Sequence, residues 1–85
     1  MASAERVENL KTYCKQWKES SENLTRRRDE LLFWQSSGVH IFESGSNQDL
    51  LPTMIAEADA AARNVYAILI RMEALRDRAY AGEDV

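Results

Sequence analysis

The sequence predicts an all-α fold, an antiparallel hairpin of two helices with coiled-coil-like packing. Neither proline nor glycine occurs from Ala4 to Gln35, and between Leu50 and Tyr80 the one proline stands at the start. Turn-forming residues gather between these two stretches. Long segments without helix breakers, separated by one turn-rich segment, are typical of a helical hairpin. We expect dimerisation or a partner protein to complete a four-helix bundle.

The chain has 85 residues, which predicts one domain over 1–85 with a small core. Small folds usually require a disulfide, a structural metal or a partner subunit. Cys14 is the single cysteine and His40 the single histidine, so neither a disulfide nor a four-ligand zinc site can form within the chain. The expected source of stability is therefore a partner chain or very regular helix packing.

The first helix is predicted over about 4–36. Its apolar residues follow spacings of three, four and seven, which is a heptad pattern rather than the alternation of a strand. Ser21 and Arg28 interrupt this stripe. The stripe residues are Val7, Leu10, Cys14, Trp17, Leu24 and Leu31.

The loop is predicted over 37–48, with Gly38 as a left-handed cap of the first helix. Its segment 39–43 reads VHIFE, too short to form a sheet alone. We expect Val39, Ile41 and Phe42 to plug the open end of the helix pair.

The second helix is predicted over about 49–80, followed by an acidic tail over 81–85. Asp49 is the expected N-cap, and Pro52 suits the first turn. The segment 64–72, NVYAILIRM, could be a buried strand or a helix that is apolar on several sides. Three alanines precede it and the helical spacing is unbroken, so a helix is favoured.

The second helix carries a wider apolar surface than one neighbouring helix can cover. Tyr66 and Ile70 lie beside its main stripe, and four consecutive apolar residues close the first helix. We expect these positions to contact a partner, since exposed apolar clusters mark interaction sites. The predicted partner-binding residues are Tyr66, Ile70, Phe33, Trp34 and Phe42.

Arg26, Arg27 and Arg28 form a basic run that could contact an acidic partner or nucleic acid. The net charge is −3 and acidic residues are interleaved on the same helix, which weakens attraction to phosphate. We therefore favour a solvated helix face, with Arg28 near the seam pairing an acidic residue of the second helix. Nucleic-acid binding is the least favoured of the functions considered.

No catalytic site is expected. The hairpin places Cys14 and His40 about 30 Å apart at the helical rise, too far for a nucleophile and its base. The Glu-x-x-His pairs of bundle metalloenzymes and glycine-rich phosphate loops do not occur. We predict a non-enzymatic protein with no metal and no cofactor.

The hairpin with Trp34 near its turn, and Tyr80 four residues before Asp84, resembles the small secreted WXG proteins. Trp34 and Gly38 are four residues apart, however, whereas the motif of that family places them two apart. The size and architecture are also similar to those of type III secretion needle subunits, whose turn carries two prolines that SGSNQD lacks. Membership of neither family is assigned. The resemblance implies an alternative role as a secretion-system component or a secreted helical hairpin.

The favoured function is a protein–protein interaction module, such as an adaptor, chaperone, inhibitor or regulator. Its expected partner is a second copy, giving a homodimer, or another helical protein. The N-terminus lacks the apolar stretch of a signal peptide and no run approaches the roughly 20 apolar residues of a membrane span. The expected location is therefore cytoplasmic and away from membranes, with export by a specialised system left open.

Overall fold

The computed structural model describes residues 3–85 and confirms the all-α hairpin. Helix α1 spans Ala4–Ser36, and helix α2 spans Leu51–Tyr80. The two helices pack antiparallel along one seam and form a rod with Cα extents of 60 × 19 × 15 Å. No strand is present in residues 3–85, where β-pairing is limited to one isolated bridge between Phe42 and Asp49.

Local capping defines the ends of α1. The Ser3 hydroxyl accepts a hydrogen bond from the backbone N–H of Arg6 at 3.1 Å and satisfies one of the free donors of the first turn. At the other end, Gly38 has φ of 84° and its N–H donates to the carbonyl of Gln35. The N–H of Val39 donates to the carbonyl of Trp34, which completes a Schellman motif. The predicted cap at Gly38 is confirmed.

Helix α2 begins two residues later than expected. Leu50 is the N-cap residue and has no side-chain cap bond. Asp49, predicted as the N-cap, lies one residue earlier, although its Oδ1 still accepts from the Leu51 N–H at 3.0 Å. Pro52 occupies the first turn as predicted. Gly82, with φ of 87°, ends the helix by donating its N–H to the carbonyl of Ala79.

The predicted loop plug is only partly right. Ile41 is half-buried, but Val39 and Phe42 are exposed. The loop folds back on itself instead, because the Leu50 N–H donates to the Ile41 carbonyl at 2.7 Å. Leu51, which is completely buried, fills the turn end of the seam. The two other loop apolar residues are thereby left at the surface.

The seam follows a heptad register in both helices. We name its two rows a and d, after the heptad positions they occupy. In α1 the a row is Val7, Cys14, Ser21 and Arg28, and the d row is Leu10, Trp17, Leu24 and Leu31. In α2 the a row is Ile55, Ala62, Leu69 and Arg76, and the d row is Leu51, Ala58, Val65, Met72 and Ala79. All the buried residues of both helices lie in these rows.

Candidate functional site

The hairpin has two long faces, and contacts across the seam establish which residues belong to each. In an antiparallel pair, the e positions of both helices flank one side of the seam and the g positions flank the other. The Lys11 ammonium lies 5.8 Å from the centre of the Tyr80 ring, which joins two e positions. Arg28 Nη1 lies 3.0 Å from Asp59 Oδ1, which joins an a position to an e position. The a rows therefore adjoin the e side, and the d rows adjoin the g side.

The e side is charged, and we call it the charged face. On it, Asp59 pairs with both Arg28 and Arg63, the latter at 2.8 Å. The hydrogen bond from Arg28 lowers the pKa of the Asp59 carboxyl below its ordinary value. The charged face comprises Lys11, Lys15, Lys18, Asp29, Asp59, Arg63, Glu73 and Asp77, and the exposed apolar residues Leu32, Tyr66, Ile70 and Tyr80 lie on the same side.

An open groove of about 450 Å³ lies on the charged face near the free ends of the helices. Lysines from α1 and acidic residues from α2 line it, and Cys14 forms part of its floor. Cys14 is buried, and this burial raises the pKa of its thiol, so the reactive thiolate is disfavoured. The groove is therefore a polar cleft over an unreactive cysteine.

The g side is apolar, and we call it the apolar face. Here the d rows extend outward into further apolar side chains, and Arg27 is the one charged residue at its centre. The apolar face comprises Tyr13, Trp17, Leu24, Leu31 and Trp34 of α1, with Met54, Ala61, Val65, Ile68, Met72 and Leu75 of α2.

None of the residues of the apolar face is fully buried. Tyr13 and Trp34 are each 41% exposed and Met54 is 37% exposed, while the others are half-buried. Leucine, isoleucine and methionine on a helix usually reach the interior of a fold. A hairpin of two helices has no second layer to cover them. The apolar face therefore resembles one half of a hydrophobic core that no second layer within residues 3–85 covers.

The predicted partner-binding residues are all exposed, but they do not form one surface. Phe33, Trp34 and Phe42 lie at the turn end of the rod. Tyr66 and Ile70 lie on the charged side of α2, where Arg63 and Glu73 are their near neighbours on the helix. One helix pair packed over Trp34 cannot also cover Tyr66, since the two residues are on opposite faces. The role of each group stays a prediction.

The arginine run is divided in the same way. Arg28 pairs with Asp59 of α2, as the interpretation of this run as a solvated helix face predicted. Arg27 pairs with Glu30 at 3.1 Å. Arg26 forms no ion pair with any residue from 3 to 85 and extends toward solvent. The three side chains therefore do not present one basic surface.

Cys14 and His40 are not brought together. Cys14 lies within the seam of α1, and His40 lies in the loop that joins the helices. Its Nδ1 lies 2.9 Å from Asp49 Oδ2, while Asp49 Oδ1 accepts from the N–H groups of Ile41 and Leu51. The His40 bond and these two backbone bonds lower the pKa of Asp49 from 3.8 to about 2. The pair stabilises the loop.

Metal binding and membrane insertion find no support in the described part of the chain. In residues 3–85, no group of three or more histidine, cysteine, aspartate or glutamate side chains is arranged to hold a metal ion. Neither of the two helices combines the length and the apolar character that a membrane span requires.

The sequence reasoning missed most of the apolar face. It named Trp34 as a partner-binding residue, but it interpreted Tyr13, Ile68 and Leu75 as core positions. The signal was available, because extending the heptad register to the g positions of both helices selects them directly. Neither a protein-family model, nor a curated protein, nor a solved structure matches the chain. Function is therefore inferred from these residues alone.

Proposed function

We propose that this protein is a non-enzymatic protein–protein interaction module whose apolar face packs against a helical partner. In this proposal the partner supplies the missing helical layer and completes a four-helix bundle. The protein would act as an adaptor, chaperone, inhibitor or regulator, according to what the partner does. No substrate, cofactor or metal takes part.

The asymmetry of the seam is the observation that carries this proposal. In the middle of α1, the a row on the charged side contains the small residues Cys14 and Ser21, whereas the d row contains the large residues Trp17 and Leu24. A hairpin selected to exist alone would bury its largest side chains centrally and flank them with polar ones on both sides. In α1 the large side chains are displaced toward the apolar face, where each can gain about 1.5–3 kcal/mol by complete burial.

The alternatives gain less support. The nucleic-acid hypothesis needs a basic surface, and the pairing of Arg28 with Asp59 removes one of its three arginines. The secretion hypothesis predicts an exposed tail from Tyr80 to Asp84, and these residues are exposed, although Arg78 pairs with Glu83 and Arg6 Nε donates to the Val85 carbonyl. These contacts hold the tail beside both helices.

A photo-crosslinking comparison tests the proposal even when the identity of the partner is unknown. A photoreactive phenylalanine analogue would replace Ile68 on the apolar face or, as a matched control, Ile70 on the charged side. In cells that make the protein, we expect one adduct of defined mass from position 68 and little from position 70. Leu75→Glu, which places a charge on the same face, should abolish that adduct.

Two outcomes would contradict the proposal. Crosslinking from position 70 alone would move the interface to the patch of Tyr66 and Ile70. Equal crosslinking from both positions, insensitive to Leu75→Glu, would indicate non-specific contact. In either case the apolar face would not be the binding surface.

A further inference from the structure

We infer that the partner is a second copy of this chain, packed face to face and antiparallel, about a two-fold axis near Leu24. This inference rests on the proposed function and deepens it by naming the occupant. A two-fold dimer uses the same patch on both copies, so the patch must be complementary to itself. The apolar face can be tested for that property residue by residue.

The position of the axis is the first observation in favour of a symmetric dimer. Contacts across the seam place Arg28 level with Asp59 and Lys11 level with Tyr80. On this scale the middle of the apolar residues of α1 is near Leu24, and the middle of those of α2 is near Val65. These two positions are at the same height on the rod. One perpendicular axis therefore superimposes both halves of the face on their copies.

The apolar side chains also match about this axis, and at the centre of α1 Arg27 would lie near Ser20 of the second copy. In α1, Leu24 contacts Leu24 of the second copy, and Trp17 lies level with Leu31 of the second copy. Tyr13 lies near Trp34 of the second copy. In α2, Ala61 lies opposite Ile68, so a small side chain faces a large one. Alternating small and large residues in this way lets two layers interdigitate.

The charges along the edges favour one orientation. About the antiparallel axis, Glu57 lies level with Arg71 of the second copy, and the symmetric pair repeats this contact. The parallel arrangement instead places α1 of one copy over α2 of the other. It brings Glu30 beside Glu57 of the second copy, so two carboxylates would meet at the edge. Like charges at a rim disfavour a wrong orientation, so the edges select the antiparallel dimer.

The area of the apolar face is sufficient for a dimer. From Tyr13 to Trp34 the apolar face is about 32 Å long at the helical rise, and the rod is 19 Å across. The product is about 600 Å² for each copy, or about 1,200 Å² in total. That total is at the lower end of the range for specific protein interfaces. A dimer of modest affinity is therefore expected.

Distances between spin labels test the inference. One label is attached at Ser44→Cys in the exposed loop and another, in a separate sample, at Glu22→Cys on the outer surface of α1. Cys14→Ala in both samples removes the native thiol. The antiparallel dimer predicts about 40–50 Å between the two loop labels at the helical rise, and about 30 Å or less between the central ones.

Each other result would overturn the inference. Short distances at both positions would indicate a parallel dimer. Absence of dipolar coupling at any protein concentration would show that the second copy does not bind. In that case the crosslinking result from position 68 still decides the proposed function independently, because it reports any partner.

Charge reversal provides a second test that requires no label. Glu57→Arg or Arg71→Glu alone should weaken dimerisation by about five-fold, measured by sedimentation equilibrium, because each creates like-charge contacts. The double variant should restore it. If the dimerisation affinity of the double variant falls by the combined loss of both single variants, the two residues are not in contact and the antiparallel register is wrong.

Discussion

On the apolar face, Trp17 and Leu24 are flanked by further apolar side chains, and no protein layer within residues 3–85 covers these side chains from solvent. Along the charged face, Cys14 and Ser21 are flanked by lysines, arginines and carboxylates, and the carboxylates of α2 pair with arginines. Both faces belong to the same two helices and share one seam. Their difference is the basis of the proposal that another layer packs on the apolar face, although Tyr66 and Ile70 are also exposed on the charged side. A small fold can thus place its stabilising side chains where only a partner can bury them.

The largest expected effect comes from alanine substitution in the two rows of α1. Leu24→Ala should lower the free energy of unfolding by about 2–3 kcal/mol, since it removes a large side chain and leaves a cavity. Ser21→Ala should change it by under about 0.5 kcal/mol, in the stabilising direction, because alanine favours helix. Urea unfolding followed by circular dichroism at several protein concentrations measures both. Equal losses would show that the two rows are energetically equivalent.

The next effect concerns association and separates two neighbours. Trp34 lies on the apolar face, whereas Phe33 is 68% exposed and points away from the seam. Trp34→Ala should weaken self-association about ten-fold, because it removes the aromatic contact with Tyr13 of the second copy. Phe33→Ala should alter it little, although both residues were predicted to bind a partner. A larger loss at Phe33 would place the interface around the turn instead.

The sequence predicted the helices better than their faces. Heptad spacing and the absence of breakers gave α1 over 4–36, and this agrees with Ala4–Ser36. The start of α2 was two residues early because Asp49 also bonds to His40 and Ile41 and stays in the loop. Local sequence signals determined the bounds of α1, whereas the start of α2 also depended on the contact of Asp49 with His40, nine residues away.

The candidate site was harder to predict because sidedness is a property of the pair. Tyr66 and Ile70 are wide of the main stripe when α2 is considered alone. Whether the side of α2 that carries Tyr66 and Ile70 adjoins the lysines or the tryptophans of α1 depends on which side of α1 packs next to it. Antiparallel pairing places e against e and g against g, and the register of both helices is needed to apply that rule. The pairing of Arg28 with an acidic residue of α2 was predicted, because Arg28 interrupts the seam itself.

Acid should affect the charged parts of the molecule and spare the apolar face. Asp49 has a pKa of about 2 in the folded chain, against 3.8 as its ordinary value. A lowered pKa means that the ionised carboxylate stabilises the fold. That contribution is fully present above about pH 4 and is lost as the pH falls toward 2. Asp59 shifts in the same direction.

Thermal unfolding between pH 7 and pH 2 checks this expectation. Melting temperature should stay flat to about pH 4 and then fall, and Asp49→Asn should reduce the fall. Gln48→Ala, which leaves Asp49 intact and adds no titratable group, is a suitable control in the same loop. A fall beginning well above pH 4 would contradict this expectation, and self-association should be unchanged from pH 7 to pH 5.

The smallest effect is expected at the arginine run, and it tests whether the charged surface binds anything. Arg26 and Arg27 are directed to solvent, but Glu30 neutralises Arg27 and the net charge of the chain repels phosphate. A gel-retardation series should show no complex at about 150 mM salt, and at most weak binding at low salt that falls steeply as salt is added. Arg26→Ala with Arg27→Ala should leave folding unchanged, and Arg26→Ala alone is the control for self-association because Arg27 lies on the apolar face. Salt-resistant retardation, abolished by that double variant, would show that the arginine run recognises nucleic acid and would contradict the expectation that these side chains are only solvated.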